Sequence, residues 1–405
     1  MKVQAQSAKT QHFGLFILTG MFLIITTTGF ARMAYGIVLP FMQEGLSLST
    51  SKSGLLGTIL FLGYLLTVGM SGVFTLRLGA KRVLLIGGLF VFVGLFGLVF
   101  VPSFWWAAFC MLFAGGGSAL VYTPLMSIAI SWFPDKKGTV MGLLLSGAGI
   151  GMLLSGFFVP FMIQQFPAYS WRAVWLLFSL ITLAVLLLAL VALVDPHESS
   201  DHHKKEKTSV WKNKTLYLIA WLYFAVGIVY LIPNIYQTSY MISNGISSAL
   251  AGTVYAVAGI FSICGGPVWG MVSDRIGAKK ALIAALLLSV IGDIIPIIFG
   301  NVTGFILSAI IWGSSLGGVL LLIQVKASQQ VSPKYVSMAI GFISIFYAIG
   351  QMLGPGLAGW LIEYAGGYAT AYGFGALVFL VCLFLGLGLQ SDKQTAVNAQ
   401  AGANS

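Results

Sequence analysis

Arg32 is the residue whose placement asks for chemistry. It lies in the stretch Phe30-Ala31-Arg32-Met33-Ala34-Tyr35-Gly36, inside an apolar run from about 13 to 42, with no acidic residue nearby in sequence. A lone guanidinium at the centre of a spanning helix costs about 2.5–3.5 kcal/mol on insertion scales. A chain that keeps one turns it into a water-filled cavity or against a partner. At α-helical spacing Thr28, Arg32 and Tyr35 share a face, flanked by Gly29 and Gly36. The pattern predicts an anion site in a transport pathway, where a guanidinium fork suits a carboxylate. The competing reading is a structural arginine bonded to backbone carbonyls of a neighbouring helix.

The elements that must position Arg32 are membrane helices. The chain is 58% hydrophobic and 8% charged over 405 residues, whereas about a quarter of residues are charged in soluble globular domains. Apolar segments long enough to cross a hydrocarbon core recur along the whole length. The fold class expected is an all-α membrane protein with twelve transmembrane helices. The net charge of +11 could suggest nucleic acid, but its distribution points elsewhere. Seventeen of the 21 Lys and Arg fall at the termini and in alternate loops, the positive-inside pattern that puts both termini in the cytoplasm. No aromatic-flanked basic motif for nucleic acid accompanies them. Cys110, Cys264 and Cys382 lie in apolar helices and read as small core residues, with no disulfide or metal spacing. Neither a metal nor a cofactor is expected. The first apolar run reads as a retained anchor rather than a cleaved signal.

In order, the predicted spans cover about 13–42, 52–76, 83–101, 104–132, 139–164 and 173–194, then about 215–243, 249–273, 279–299, 303–330, 335–363 and 368–389. Pro233 and Asn234 interrupt span 7. Residues 195–214 carry His197, His202 and His203 among lysines and read as a solvated cytoplasmic linker rather than a metal site. The expected organisation is a six-helix bundle over 1–194, the linker over 195–214, a second six-helix bundle over 215–390, and a disordered cytoplasmic tail over 391–405.

Set against itself at an offset of 198 or 199, the chain repeats its punctuation. Gly72, Gly79, Lys81 and Arg82 fall on Gly270, Gly277, Lys279 and Lys280, and Pro134, Gly142 and Gly151 fall on Pro333, Gly341 and Gly350. Two parallel repeats about an axis normal to the membrane follow, with a binding region between the halves near the midplane.

The stretch Gly270-Met271-Val272-Ser273-Asp274-Arg275-Ile276-Gly277-Ala278-Lys279-Lys280 resembles the major facilitator loop pattern G-x-L-x-D-R-x-G-R/K-K. The first-half copy has Leu76 where the acid would stand. Gly350-Gln351-Met352-Leu353-Gly354-Pro355 resembles that superfamily's G-x-x-x-G-P signature, here in span 11 and so not grounds for an antiporter label. The span 1 run through Leu39-Pro40 looks like the YbfB/YjiJ type of bacterial transporter. Trp132-Phe133-Pro134 and Trp171-Arg172 resemble pieces of bacterial carboxylate and anion carriers of the superfamily.

This resemblance implies a secondary transporter working by alternating access, with spans 1, 4, 7 and 10 lining the cavity. It makes Asp274 a cytoplasmic gate residue against the start of span 11, with Arg275, Gly277, Lys279 and Lys280 around it. The expected substrate-binding residues are Arg32 and Tyr35 in span 1, Ser118 and Tyr122 in span 4, Tyr230, Asn234 and Gln237 in span 7, and Lys326 in span 10. Tyr230 stands at the repeat position of Arg32. Two readings of Lys326 stand level: a second anion contact, or a lysine reaching to the interface. Asp293 reads as a hydrogen-bonded support residue, and Glu363 as an outer-surface acid. The expected substrate is a small organic anion or related polar metabolite, with a proton or counter-anion coupled to it. Drug or metabolite efflux is the second transport reading, and a membrane sensor on a transporter fold the reading outside transport. The sequence holds no catalytic pairing of an enzyme at membrane depth and no P-loop. The remaining expectations are a monomer in a bacterial inner membrane, with lipid as its solvent.

Overall fold

The computed structural model describes residues 12–133, 136–194, 213–331 and 335–389. Most of the linker, the tail, and the paired prolines Pro134 and Pro333 lie outside these. Among the described residues twelve helices are long and apolar enough to span a membrane.

Two of the twelve are broken, and both breaks are legible in local chemistry. Span 1 consists of α1 (Phe13–Ile24), a π-wound segment (Ile25–Met33) and α2 (Tyr35–Gly45). Span 7 consists of α8 (Lys214–Val229) and α9 (Ile232–Ser243), parted at Tyr230 and Leu231, where Pro233 withholds an N–H from the ladder. The others run unbroken: α3 (Thr50–Leu78), α4 (Ala80–Val99), α5 (Phe104–Trp132), α6 (Lys137–Gln165) and α7 (Trp171–Ala192). After the second break come α10 (Ser248–Ile276), α11 (Ala278–Ile298), α12 (Val302–Ser328), α13 (Val336–Tyr364) and α14 (Tyr368–Leu387).

The sequence repeat has a backbone counterpart. Gly79 turns α3 into α4 at φ 87° and ψ 149°, and Gly277 turns α10 into α11 at φ 89° and ψ 150°. A side chain is strained at that φ, so the glycine at each turn is a conformational requirement.

Helices α3, α4, α5 and α7 pack together on one side, and α8, α10, α11, α12, α13 and α14 on the other. Three seams join the two sides: α2 on α9, α3 on α13, and α6 on α10. Small residues let backbones meet there. A Cβ added at Gly36 would strike the carbonyl oxygen of Asn234, and one at Gly57 would stand 2.9 Å from the Pro355 ring. One at Gly156 would stand 2.8 Å from Ala256. These seams run from the end holding residues 46–49 and 244–247 to about mid-depth. Beyond it, no atom outside the local backbone comes within 4 Å of where a Cβ would stand on Gly69 and Gly72 of α3, Gly142 of α6 or Gly341 of α13. Contact between the two sides is thus tight at the first end, here called sealed, and these glycines stand open toward the other, the end that carries Gly79 and Gly277, here called parted.

Candidate functional site

The site begins with the winding of span 1. Ile25-Thr26-Thr27-Thr28-Gly29 combines β-branched residues with glycine, both weak α-formers. Thr26 donates to the Leu23 carbonyl at 3.1 Å and Thr27 donates to it at 2.7 Å, the back-bonding that bends helices. Gly29 lies so close to Gly151 that a Cβ on it would stand 2.6 Å from that Cα, and Phe30 stacks on Phe178 with centroids 4.1 Å apart. These contacts pin the segment between α6 and α7. The widened turn closes with Ala34 N–H donating to the Gly29 carbonyl at 2.8 Å, five residues back.

Arg32 and Tyr35 both lie against α3, at different depths along it. Tyr35 is fully buried against α3, and its hydroxyl donates to the Ser53 carbonyl at 2.6 Å. Arg32 lies deeper along α3, within electrostatic reach of residues on the other side of the molecule. Its guanidinium carbon lies 4.2 Å from the Tyr64 ring centroid and 4.9 Å from that of Phe61, both on α3. Arg32 is 8% exposed, and its Nε–H is buried with no hydrogen-bond acceptor. The competing reading, an arginine tied to neighbouring carbonyls, has no such bond in its favour at that nitrogen.

Around this cation the structure gathers tyrosines from both sides. Tyr122 of α5, Tyr230 at the span 7 break and Tyr347 of α13 all lie within electrostatic reach of Arg32. Tyr64 and Tyr122 in turn lie within reach of Tyr223 on α8, so the cluster bridges the bundles. Tyr223 stacks on Tyr347 with centroids 4.4 Å apart at 14°, and Tyr347 meets Tyr230 edge-on at 5.9 Å. Gln351 donates to the Tyr347 hydroxyl at 2.8 Å, and Gln324 to the Tyr223 hydroxyl at 3.1 Å. Tyr64, Tyr122, Tyr347 and Gln324 are half-buried. Trp312 supports the wall by donating to the Tyr230 carbonyl at 3.1 Å. Of the expected residues, Arg32, Tyr122 and Tyr230 come together here. Phe61, Tyr64, Tyr347 and Gln351 were not anticipated because they lie on spans 2 and 11, outside the spans expected to line the cavity, and Tyr223 and Gln324, on spans 7 and 10, carried no spacing that marked them.

The remaining expected residues are engaged elsewhere. Ser118 is 1% exposed and donates to the Gly115 carbonyl of its own helix at 2.7 Å. Asn234 is buried in the sealed seam, donating to the Tyr255 hydroxyl at 3.0 Å, and Tyr255 donates onward to the Met33 carbonyl at 2.6 Å. Gln237 donates to the Phe305 carbonyl at 3.1 Å. Lys326 matches neither of its two readings: it is fully buried, its ammonium donating to Gln329 at 3.0 Å. Cys110 and Cys382 are buried as expected, whereas Cys264 is exposed. Asp293 is not the hydrogen-bonded support expected: it is buried against Gly375, and its Oδ2 has no donor. Glu363 accepts from the Ser51 N–H at 2.6 Å, joining α13 to the first turn of α3 at the sealed end.

At the parted end, Asp274 and Arg275 are exposed at the close of α10 and Lys280 is exposed on α11. Lys279 has a different task from the gate role expected. Its ammonium donates to the Leu387 carbonyl at 2.7 Å and to the Leu389 carbonyl, capping the end of α14.

A family model described as "Uncharacterised MFS-type transporter YbfB" matches residues 24–387. The agnestins efflux protein of Paecilomyces divaricatus is 26% identical over 376 residues, covering 91% of this chain and 85% of its own. Monocarboxylate transporter 12 of Xenopus laevis is 25% identical over 415 residues, covering 93% and 88%. The crystal structure of a D-xylose-proton symporter superposes with a TM-score of 0.80 at 12% identity, covering 95% of this chain and 99% of that one. Its fold is therefore shared.

Proposed function

Because the chain belongs to the YbfB-type family of major facilitator transporters, a multi-pass membrane carrier and not an enzyme, we propose that it moves a small organic anion, a carboxylate, by alternating access. The observation that carries this reading is the guanidinium of Arg32, held at mid-depth between the bundles with a buried Nε–H that lacks an acceptor. A carboxylate supplies both the charge and the in-plane acceptors that such a group lacks. The similarity to a monocarboxylate transporter supports the same class.

In this reading the anion enters from the parted end, docks on Arg32, and is flanked by Tyr64, Tyr122, Tyr230 and Tyr347. The bundles then rock about the site, closing the parted end and opening the seams at α2–α9, α3–α13 and α6–α10. The charge asymmetry of the loops makes the parted end cytoplasmic, with both termini on that side of a bacterial inner membrane. Asp274 would meet the start of α13 when that end closes, and Asp274→Asn is expected to slow turnover. Wild-type kinetics would remove it from the gate.

Efflux of an uncharged or aromatic metabolite is the second reading. The tyrosine-rich lining and the similarity to an efflux protein favour it. Uptake into proteoliposomes of labelled carboxylates, amino acids and sugars separates the two. Carboxylate uptake that Arg32→Ala abolishes in a folded protein supports the anion reading. Unchanged transport by Arg32→Ala defeats it.

A further inference from the structure

We propose that the carried anion is the missing half of the turning machinery, so that the protein exchanges one monocarboxylate for another and does not run empty. This rests on the reading that Arg32 holds the substrate.

The argument is one of charge. Four acids are described in the structure, and none accompanies Arg32. Glu44 and Glu363 stand at the sealed ends of α2 and α13, and Asp274 stands at the parted end of α10. Asp293, on α11, is closed off against α14 through Gly375. The side chains placed around the guanidinium are Phe61, Tyr64, Tyr122, Tyr230 and Tyr347, all uncharged rings. Two nearby hydroxyls, those of Tyr347 and Tyr223, already accept from Gln351 and Gln324.

While one end is parted, water can hydrate the guanidinium edge. When the bundles close around Arg32 on the way across, that water goes and an unpaired ion remains in a dry site, which is strongly unfavourable. One carboxylate cancels one guanidinium bidentately. The loaded site therefore crosses as a neutral body, while the empty site crosses with a bare charge. Return is fast only with a second anion aboard, which makes the cycle a one-for-one, electroneutral exchange. A dicarboxylate would leave its second charge stranded in the same closure. Lys326 offers that second charge no docking group, since it is fully buried and bonded to Gln329.

The test uses the full-length protein in proteoliposomes, with labelled lactate, benzoate and succinate as probes. The vesicles hold either the same unlabelled anion or a chloride-free zwitterionic buffer. Monocarboxylate uptake is expected to be at least about tenfold faster against internal anion, insensitive to an imposed pH gradient or membrane potential, and weak for succinate. Equal initial rates with and without internal anion, or net uptake driven by an inward proton gradient, would overturn exchange and leave the anion reading standing. No uptake of any carboxylate under either loading would defeat the anion reading itself. Arg32→Gln, shown to be folded by its melting curve, is expected to lose the exchange. Retention of the wild-type ratio of exchange to net uptake by that variant would also overturn the proposal.

Discussion

The guanidinium carbon of Arg32 lies 4.2 Å from the centroid of the Tyr64 ring. Residues 32 apart in sequence, on successive spans, thus form a cation–π pair in the middle of the molecule. The ring covers the cation without neutralising it, which leaves the N–H edge for an acceptor from outside the protein.

Removing that ring should loosen the cation. A cation–π contact contributes about 0.5–2 kcal/mol, so Tyr64→Leu is expected to weaken apparent substrate affinity by roughly 2- to 30-fold. Tyr64→Phe should stay close to wild type. Initial-rate uptake against substrate concentration reads both, and a Tyr64→Leu protein with unchanged affinity would show that the ring does not orient the site.

Sealing depends on Gly36. Any larger side chain there collides with the Asn234 carbonyl, so Gly36→Val should hold α2 away from α9 and favour the state open at that end. A cysteine at Gln237, 5% exposed in the structure, would report this after Cys264→Ser. Membrane-impermeant maleimide applied from the sealed-end side should label it slowly in the otherwise native protein and faster with Gly36→Val. Equal rates would mean that the seam yields without opening.

Lys279 should matter for stability rather than transport. Its two carbonyl acceptors lie at the end of α14, and a half-exposed cap of this kind contributes on the order of 1 kcal/mol. Lys279→Ala is expected to lower the melting temperature by a few degrees while leaving turnover per folded molecule unchanged. Lys280→Ala, with its side chain in solvent, should do neither. A large turnover defect in Lys279→Ala would return this lysine to the gate.

Gly79 and Gly277 occupy the same left-handed backbone region to within a few degrees. Alanine at either turn is expected to cost about 1 kcal/mol, and the two losses should be similar and additive because the turns are separate. Thermal melting of the two single variants and the double variant checks this.

Much of the architecture was written in composition. Long apolar runs leave helices as the available spanning structure, and the offset between Gly79 and Gly277 announced the repeat. Arg32 was legible for a related reason: a cation is conspicuous in an apolar run. Its surroundings were not. Tyr35 was expected to serve the site with it, yet its hydroxyl is taken up by the Ser53 carbonyl of α3. Tyr64 and Tyr347 sit in largely apolar stretches, and nothing in spacing distinguishes a ring facing a cavity from one facing lipid. Lys326 looked as available as Arg32, yet Gln329, one turn on, occupies its ammonium. Ser118, in the same way, is satisfied by its own helix.

The wide turn from Ile25 to Met33 has a mechanical consequence. Deleting one residue there would let the segment rewind as an α-helix and swing the guanidinium by about 100°, away from the aromatic cluster and toward its neighbours' backbones. A loop of slack in the coil is what aims the charge.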